Sequence, residues 1–316
     1  MGIVDRLQAS EEPSIRFLTR TGALGEDPAS PSIKELQAEI ACSPRAQALL
    51  SERDPAGRIP KTVYNKWRGA HWVISMLADI GYPAGDVGIK PLIDQVLGSW
   101  LSERHLAAVA TVDGRVRRCA SQEGNALWSA LKLGISDKRT DELARRLALW
   151  QWPDGGWNCD RHPKAAKSSF HETLIPLRAL SLHARVTGNS TSSEAVRRAA
   201  EPFLTRSLMK RLRDSRLMRA DFLRLQYPAF WHYDVLSGLR VMAEAGVIGD
   251  PRCGDALDWL ESRRLPDGGW PATYTYCRPG KTANSTVSWG GVSPSRANEW
   301  VTVHALTVLR AAGRVS

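Results

Sequence analysis

Two short phrases limit the fold of this chain more than anything else in it: Pro153-Asp154-Gly155-Gly156-Trp157 and Pro266-Asp267-Gly268-Gly269-Trp270. In each, the Asp can bond its own backbone and the glycine pair permits positive φ, so both read as tight turns. The indole that follows is large enough to lock a turn against a neighbouring helix. Each turn stands after one apolar helical run and ahead of another, and two copies mark a repeat.

Around these turns the hydrophobic spacing is helical over roughly 33–51, 61–80, 86–102, 121–133, 139–150, 168–186, 192–207, 228–245, 251–263 and 295–312, with little two-residue alternation and no expected strand. The helices pair. One member of each pair ends in a glycine-closed phrase (Asp79-Ile80-Gly81, Lys132-Leu133-Gly134, Val186-Thr187-Gly188, Glu244-Ala245-Gly246, Ala311-Ala312-Gly313), glycine being suited to the left-handed cap. The other member leads into a turn with Asp before Gly, or in one pair into the basic insertion Met209–Arg224.

The expected fold class is therefore all-α. About five helical hairpins occupy residues 33–316 as one domain, and residues 1–32 form an N-terminal extension with a short helix near Ser14–Thr21, which would make a sixth. Hairpins of this kind stack into an open solenoid or close into an (α/α) toroid. Polar and aromatic residues in the first set of helices, at Trp72, Trp128, His171, His232 and Trp300, favour closure.

Composition narrows the function classes. No apolar run approaches the roughly 18–20 residues that span a bilayer, and no signal-peptide core opens the chain. Five cysteines without a dense pattern suit a reduced, cytoplasmic protein with at most peripheral membrane contact. A net charge of +10 asks for an anionic partner. Arginine is spread over many helices and no nucleic-acid motif occurs, so an acidic membrane surface or a phosphorylated small molecule fits better.

The tandem phrase of helix end, Gln or Arg, and Pro-Asp-Gly-Gly-Trp resembles the QW-type repeats of squalene-hopene cyclases and the related protein prenyltransferase β subunits. The resemblance implies a toroid with a central aromatic-lined cavity, and it makes Gln151, Trp157 and Trp270 bracing residues. Squalene-type enzymes protonate their substrate with Asp-x-Asp-Asp, which is absent here; the nearest equivalent is Ser169-Phe170-His171-Glu172-Thr173. Prenyltransferases hold zinc with Asp, Cys and His, and a diphosphate with Arg and Lys. Here Arg161-x-x-Lys164 follows the turn one residue out of place, and Lys167-Ser168-Ser169 stands where Asp-x-Cys would be. The stretch Phe230–Leu239 resembles the segment carrying the zinc His, again displaced by one.

These readings define the candidates. For catalysis, Glu172 or Asp234 serves as general acid or base, tuned by His171 and His232. Arg161 and Lys164 hold an anionic head, with Gln122, Asn298 and Glu299 at other helix starts. Trp72, Trp128, Trp231 and Trp300 line the cavity and stabilise cations through their π faces. Every first-set helix begins polar and ends apolar, so the cavity floor is expected to be greasy. Cys159, His171, His232 and Asp234, with Asp160, form a second constellation that admits zinc or magnesium; the alternative is that each merely bonds a helix end. No organic cofactor is called for. The leading expectation is a terpene cyclase-like or prenyltransferase-like enzyme acting on an isoprenoid, with or without a diphosphate. A zinc enzyme for prenyl or peptide thiol chemistry and a non-catalytic binding scaffold are the alternatives.

Overall fold

Apolar residues at helical spacing build the elements, and proline or glycine ends them. The computed structural model describes residues 1–277 and 284–314. Helices α1 (Ile3–Gln8) and α2 (Pro13–Leu18) open the chain, and a π turn over Thr19–Ala23 extends α2. Then come α3 (Pro31–Cys42), α4 (Pro44–Leu50), α5 (Ala70–Asp79), α6 (Lys90–Trp100) and α7 (Glu103–Ala107). A hairpin of β1 (Ala110–Val112) and β2 (Arg115–Arg117) leads to α8 (Ser121–Lys132), α9 (Lys138–Leu149), α10 (Phe170–Thr187) and α11 (Ser190–Leu204). The chain finishes with α12 (Val235–Glu244), α13 (Gly254–Ser262) and α14 (Glu299–Ala311). The protein is mostly helical, as the spacing predicts.

Three local departures have physical reasons. The run expected over 33–51 is two helices, because Ser43 turns extended and caps α4 through the Ala46 N–H while Pro44 takes the first helical position. The run over 61–80 is helical only from Ala70. The expectation of no strands fails at Asp113-Gly114, where φ values of 48° and 68° make the two-residue turn that joins β1 to β2. Strands of three residues leave no alternation for a sequence scan to detect.

The helices form two sets that differ in burial. In the first, α5 packs on α8, α8 on α10, α10 on α12, α12 on α14, and α14 on α2 and its π turn. In the second, α6 lies against α5 and α8, α9 against α8 and α10, α11 against α9 and α10, and α13 against α12. Every residue of α5 is buried, whereas α9 buries only the stripe Thr140, Leu143, Ala144 and Leu147. A single stripe at that spacing is the mark of a helix with one face on the core and one in water. Residues 1–32 belong to the body: Ile15 and Thr19 are fully buried. Among the described residues, no helix is long and apolar enough to cross a membrane.

Candidate functional site

The two Pro-Asp-Gly-Gly-Trp turns fold alike. Trp152 N–H donates to Gly156 O and Leu265 N–H to Gly269 O, both at 2.8 Å. Each indole reaches back ten residues to a helix carbonyl, Trp157 Nε1 to Leu147 O at 2.9 Å and Trp270 Nε1 to Leu260 O at 2.7 Å. Each Trp backbone N–H bonds a threonine hydroxyl in the next first-set helix, Thr173 at 3.1 Å and Thr302 at 2.9 Å. A Cβ on Gly156 would lie 2.4 Å from Thr173 Oγ1, so only glycine lets the turn close on α10. Gln151 Nε2 ties the first turn to α11 by bonding Gly155 O (2.6 Å) and Ala195 O (2.8 Å). Gln151, Trp157 and Trp270 thus brace the repeat.

Beyond Trp157 the chain runs beside the end of the hairpin. Arg118 N–H donates to Asn158 O at 3.2 Å, and this register sets Cys119 next to Cys159. Glu172 enters from the first turn of α10 and crosses to α8, where its Oε2 accepts the Ser121 N–H at 3.0 Å. That carboxylate therefore satisfies one of the free N–H groups at the start of a neighbouring helix. Its other oxygen, Oε1, lies 3.7 Å from Cys159 Sγ. The ligand atoms of Cys119, Cys159 and Glu172 all fall within 4.8 Å of one another.

Glu172 is 7% exposed. Burial pushes its carboxyl above the usual range, against the pull of the Ser121 N–H. The Cys119 thiol donates to Cys159, and that hydrogen bond with burial holds Cys119 up, while Cys159 is held down by the same bond. Cys159 is the more acidic thiol of the pair. Tyr64 stands close by, its hydroxyl bonded to Gln122 and kept protonated by burial and by the charge of Glu172.

The other expected residues take different places. Asp234 is buried as the N-cap of α12, with Oδ1 accepting the Ser237 N–H (2.9 Å) and Oδ2 accepting from Gln226 (3.0 Å) and Ser237 Oγ (3.0 Å). Burial pushes it up to about 6. His171 Nδ1 accepts the Tyr233 N–H at 2.8 Å. His232 bonds Ala229 O at 3.1 Å and is stacked between Trp231 and Tyr276; burial pushes it down to about 4. The two histidine rings are neighbours, with centroids 6.4 Å apart. The constellation Cys159, His171, His232 and Asp234 is not brought together: among the described residues Cys159 groups with Cys119 and Glu172. Asp234 and both histidine Nδ1 atoms are taken up by backbone and cap contacts instead.

Asn298 caps α14 through the Trp300 and Val301 N–H groups, and Glu299 is exposed beside it. Trp72 is buried among Tyr64, Trp67 and Phe230. Trp300 stacks on Tyr227. Arg161 and Lys164 lie exposed in the loop after Cys159, Arg161 bonding Ala108 O at 3.3 Å.

The greasy floor is corrected. Asp79 Oδ1 accepts from Arg178 (3.0 Å) and Arg240 (2.9 Å), and Arg178 also clasps Glu244 at 2.6 and 2.8 Å. Burial alone would raise Asp79, but Arg240 and Arg178 outweigh it and hold the carboxyl far below its usual range. The Arg178 guanidinium covers the Trp128 ring at 3.7 Å. Asp79, Arg178 and Arg240 line two spaces at once, one of about 40 Å³ toward Phe230 and His232 and one of about 180 Å³ toward Trp128 and His304. A layer of ion pairs separates them.

Sequence reasoning missed Cys119, Tyr64, Ser121 and this layer. Cys119 had a signal: it stands two residues ahead of α8 after an Asp-Gly turn, much as Cys159 follows the Asp-Gly-Gly turn ahead of α10. No protein-family profile matches the chain, and no curated protein matches it.

Proposed function

We propose that the chain is an enzyme of the toroid class its turns resemble, and that Cys119, Cys159 and Glu172 hold a zinc ion for the transfer of an isoprenoid-type alkyl group to a thiol. The ring reading rests on the succession of first-set contacts, α5 to α8, α10, α12, α14 and α2. The contact that supports closure is that of Phe17 of α2 with Gly81, just past α5, where an added Cβ would meet the phenyl ring at 2.4 Å.

One observation carries the metal: three soft or anionic donors converge within 4.8 Å. A tetrahedral zinc with ordinary bond lengths needs S···S near about 3.8 Å and S···O near about 3.5 Å, and Cys159 Sγ to Glu172 Oε1 is 3.7 Å. Three ligands with an open fourth position is the catalytic pattern, and two sulfurs favour zinc over magnesium. Bound there, zinc supplies a thiolate nucleophile at neutral pH by holding the incoming thiol deprotonated.

The chain's own residues do the rest. The Ser121 N–H orients Glu172 so that Oε1 faces the cysteines. The Gly156–Trp157 turn fixes the strand that carries Cys159. Arg161 and Lys164, which form no ion pair among the described residues, are the cations for a diphosphate. An enclosed space of about 150 Å³ takes one benzene ring, so a space of about 180 Å³ does not swallow a long isoprenoid. The donor therefore reacts by its end at the helix-start mouth.

The raised Glu172 carboxyl favours a second reading, metal-free chemistry in which Glu172 is the proton donor. Metal analysis of the untagged protein separates the two. We expect about one zinc per chain, lost in Cys119→Ser and Cys159→Ser and kept in His232→Ala. Protein that neither contains zinc nor takes up zinc or cobalt on titration sinks the zinc reading and leaves the acid.

A further inference from the structure

The space of about 180 Å³ behind the ion-pair layer has a chemistry of its own. Four cationic side chains, Lys132, Arg178, Arg185 and Arg240, meet there against two carboxylates, Asp79 and Glu244. Both carboxylates are already engaged, since Asp79 is shared by Arg178 and Arg240 and Glu244 is clasped by Arg178. Among the described residues, Lys132 has no ion pair and Arg185 is bonded only to the Glu244 carbonyl, at 3.2 Å. His304, 4% exposed, completes the wall with an Nε2 that has no hydrogen-bond partner among the described residues. Apart from Thr307, whose hydroxyl donates to Val303 O, the remaining lining is apolar, chiefly Leu18, Leu182, Val308 and Trp128.

Excess positive charge in a half-enclosed space, beside an unpartnered buried nitrogen and apolar walls, is the donor set for an oxyanion with a compact hydrocarbon body. Volume limits that body to about the size of a benzene ring. We propose that this cavity is a binding site for a small organic carboxylate, separate from Cys119, Cys159 and Glu172. Its carboxylate meets Lys132 and Arg185, and its apolar part lies against Leu182 and Val308. The site does not depend on the zinc reading.

Benzoate is the probe, with benzamide as its neutral isostere, in calorimetric titrations of the full chain as purified. We expect saturable benzoate binding and benzamide binding weaker by at least about tenfold, the worth of a charge-assisted hydrogen bond. Lys132→Met, at an exposed position that packing does not need, weakens benzoate about tenfold. Glu244→Gln keeps its shape but removes one negative charge from the wall, so it tightens benzoate. Absence of saturable binding overturns the proposal. So does benzamide binding as well as benzoate, or benzoate binding that is indifferent to both variants.

Discussion

The turns at Pro153–Trp157 and Pro266–Trp270 are the same scaffold carrying different cargo. Both close by the same backbone bond, both anchor an indole N–H ten residues back, and both seat the Trp backbone on a threonine of the next helix. Two residues past the Trp, the first has Cys159 and the second Ala272; one residue before the Thr, the first has Glu172 and the second Val301. The second copy is stably built with an alanine and a valine, both buried. The fold therefore does not require a thiol or a carboxylate at these positions. In the first copy a buried carboxyl with a raised pKa is a cost the scaffold could have avoided, and this is the strongest reason to read Cys159 and Glu172 as functional.

Exchanging the cargo tests this most severely. Glu172→Val gives the first turn the side chain of the second; zinc content is expected to fall more than about tenfold while stability falls by no more than about 1–3 kcal/mol, the cost of leaving the Ser121 N–H without its acceptor. A large loss of stability would mean that Glu172 holds α8 to α10 and is structural after all. The reverse exchange, Val301→Glu, buries a carboxylate without a partner and should cost about 3 kcal/mol in denaturant unfolding. A neutral result there would erase the contrast between the two copies.

The shared scaffold predicts shared damage. Trp157→Phe and Trp270→Phe each leave a buried carbonyl, Leu147 O or Leu260 O, without its donor, and each should cost about 1–3 kcal/mol. Chemical denaturation that finds one costly and the other free would break the equivalence. A smaller contrast separates two helix caps, Asp234 on α12 and the neutral Asn298 on α14. Asp234 is raised to about 6 in the fold from about 3.9 in the unfolded chain. Its contribution is fully present below the unfolded value and lost as pH rises through about 6. Asp234→Asn keeps the cap and removes the titration, so it should gain on the order of 3 kcal/mol over the native chain between pH 4 and about 8. Equal stability differences at both ends of that range would show that Asp234 titrates normally.

Local chemistry was legible without coordinates. Helical spacing, glycine caps and the two Asp-Gly-Gly-Trp turns determined the all-α class and the pairing of helices, and the resemblance of those turns to QW-type repeats implied the bracing by Gln151, Trp157 and Trp270. They also singled out Cys159, two residues past a strong turn signal, while Glu172 was marked by the resemblance of Ser169–Thr173 to the acid motif of squalene-type enzymes. Only the tertiary structure decided what joins them. Cys119 lies 40 residues ahead of Cys159, and the pair meets through the Arg118–Asn158 register, which no one-dimensional period encodes. Asp79, Arg178, Arg240 and Glu244 come from three helices, α5, α10 and α12. Each reads singly as a polar interruption of an apolar run. Asp234, His171 and His232, grouped on paper by residue type, turn instead to nearby backbone groups and a helix cap, because a buried polar atom takes a partner within reach. Spacing along a chain fixes which face a side chain leaves from; which side chains then converge depends on how the helices pack.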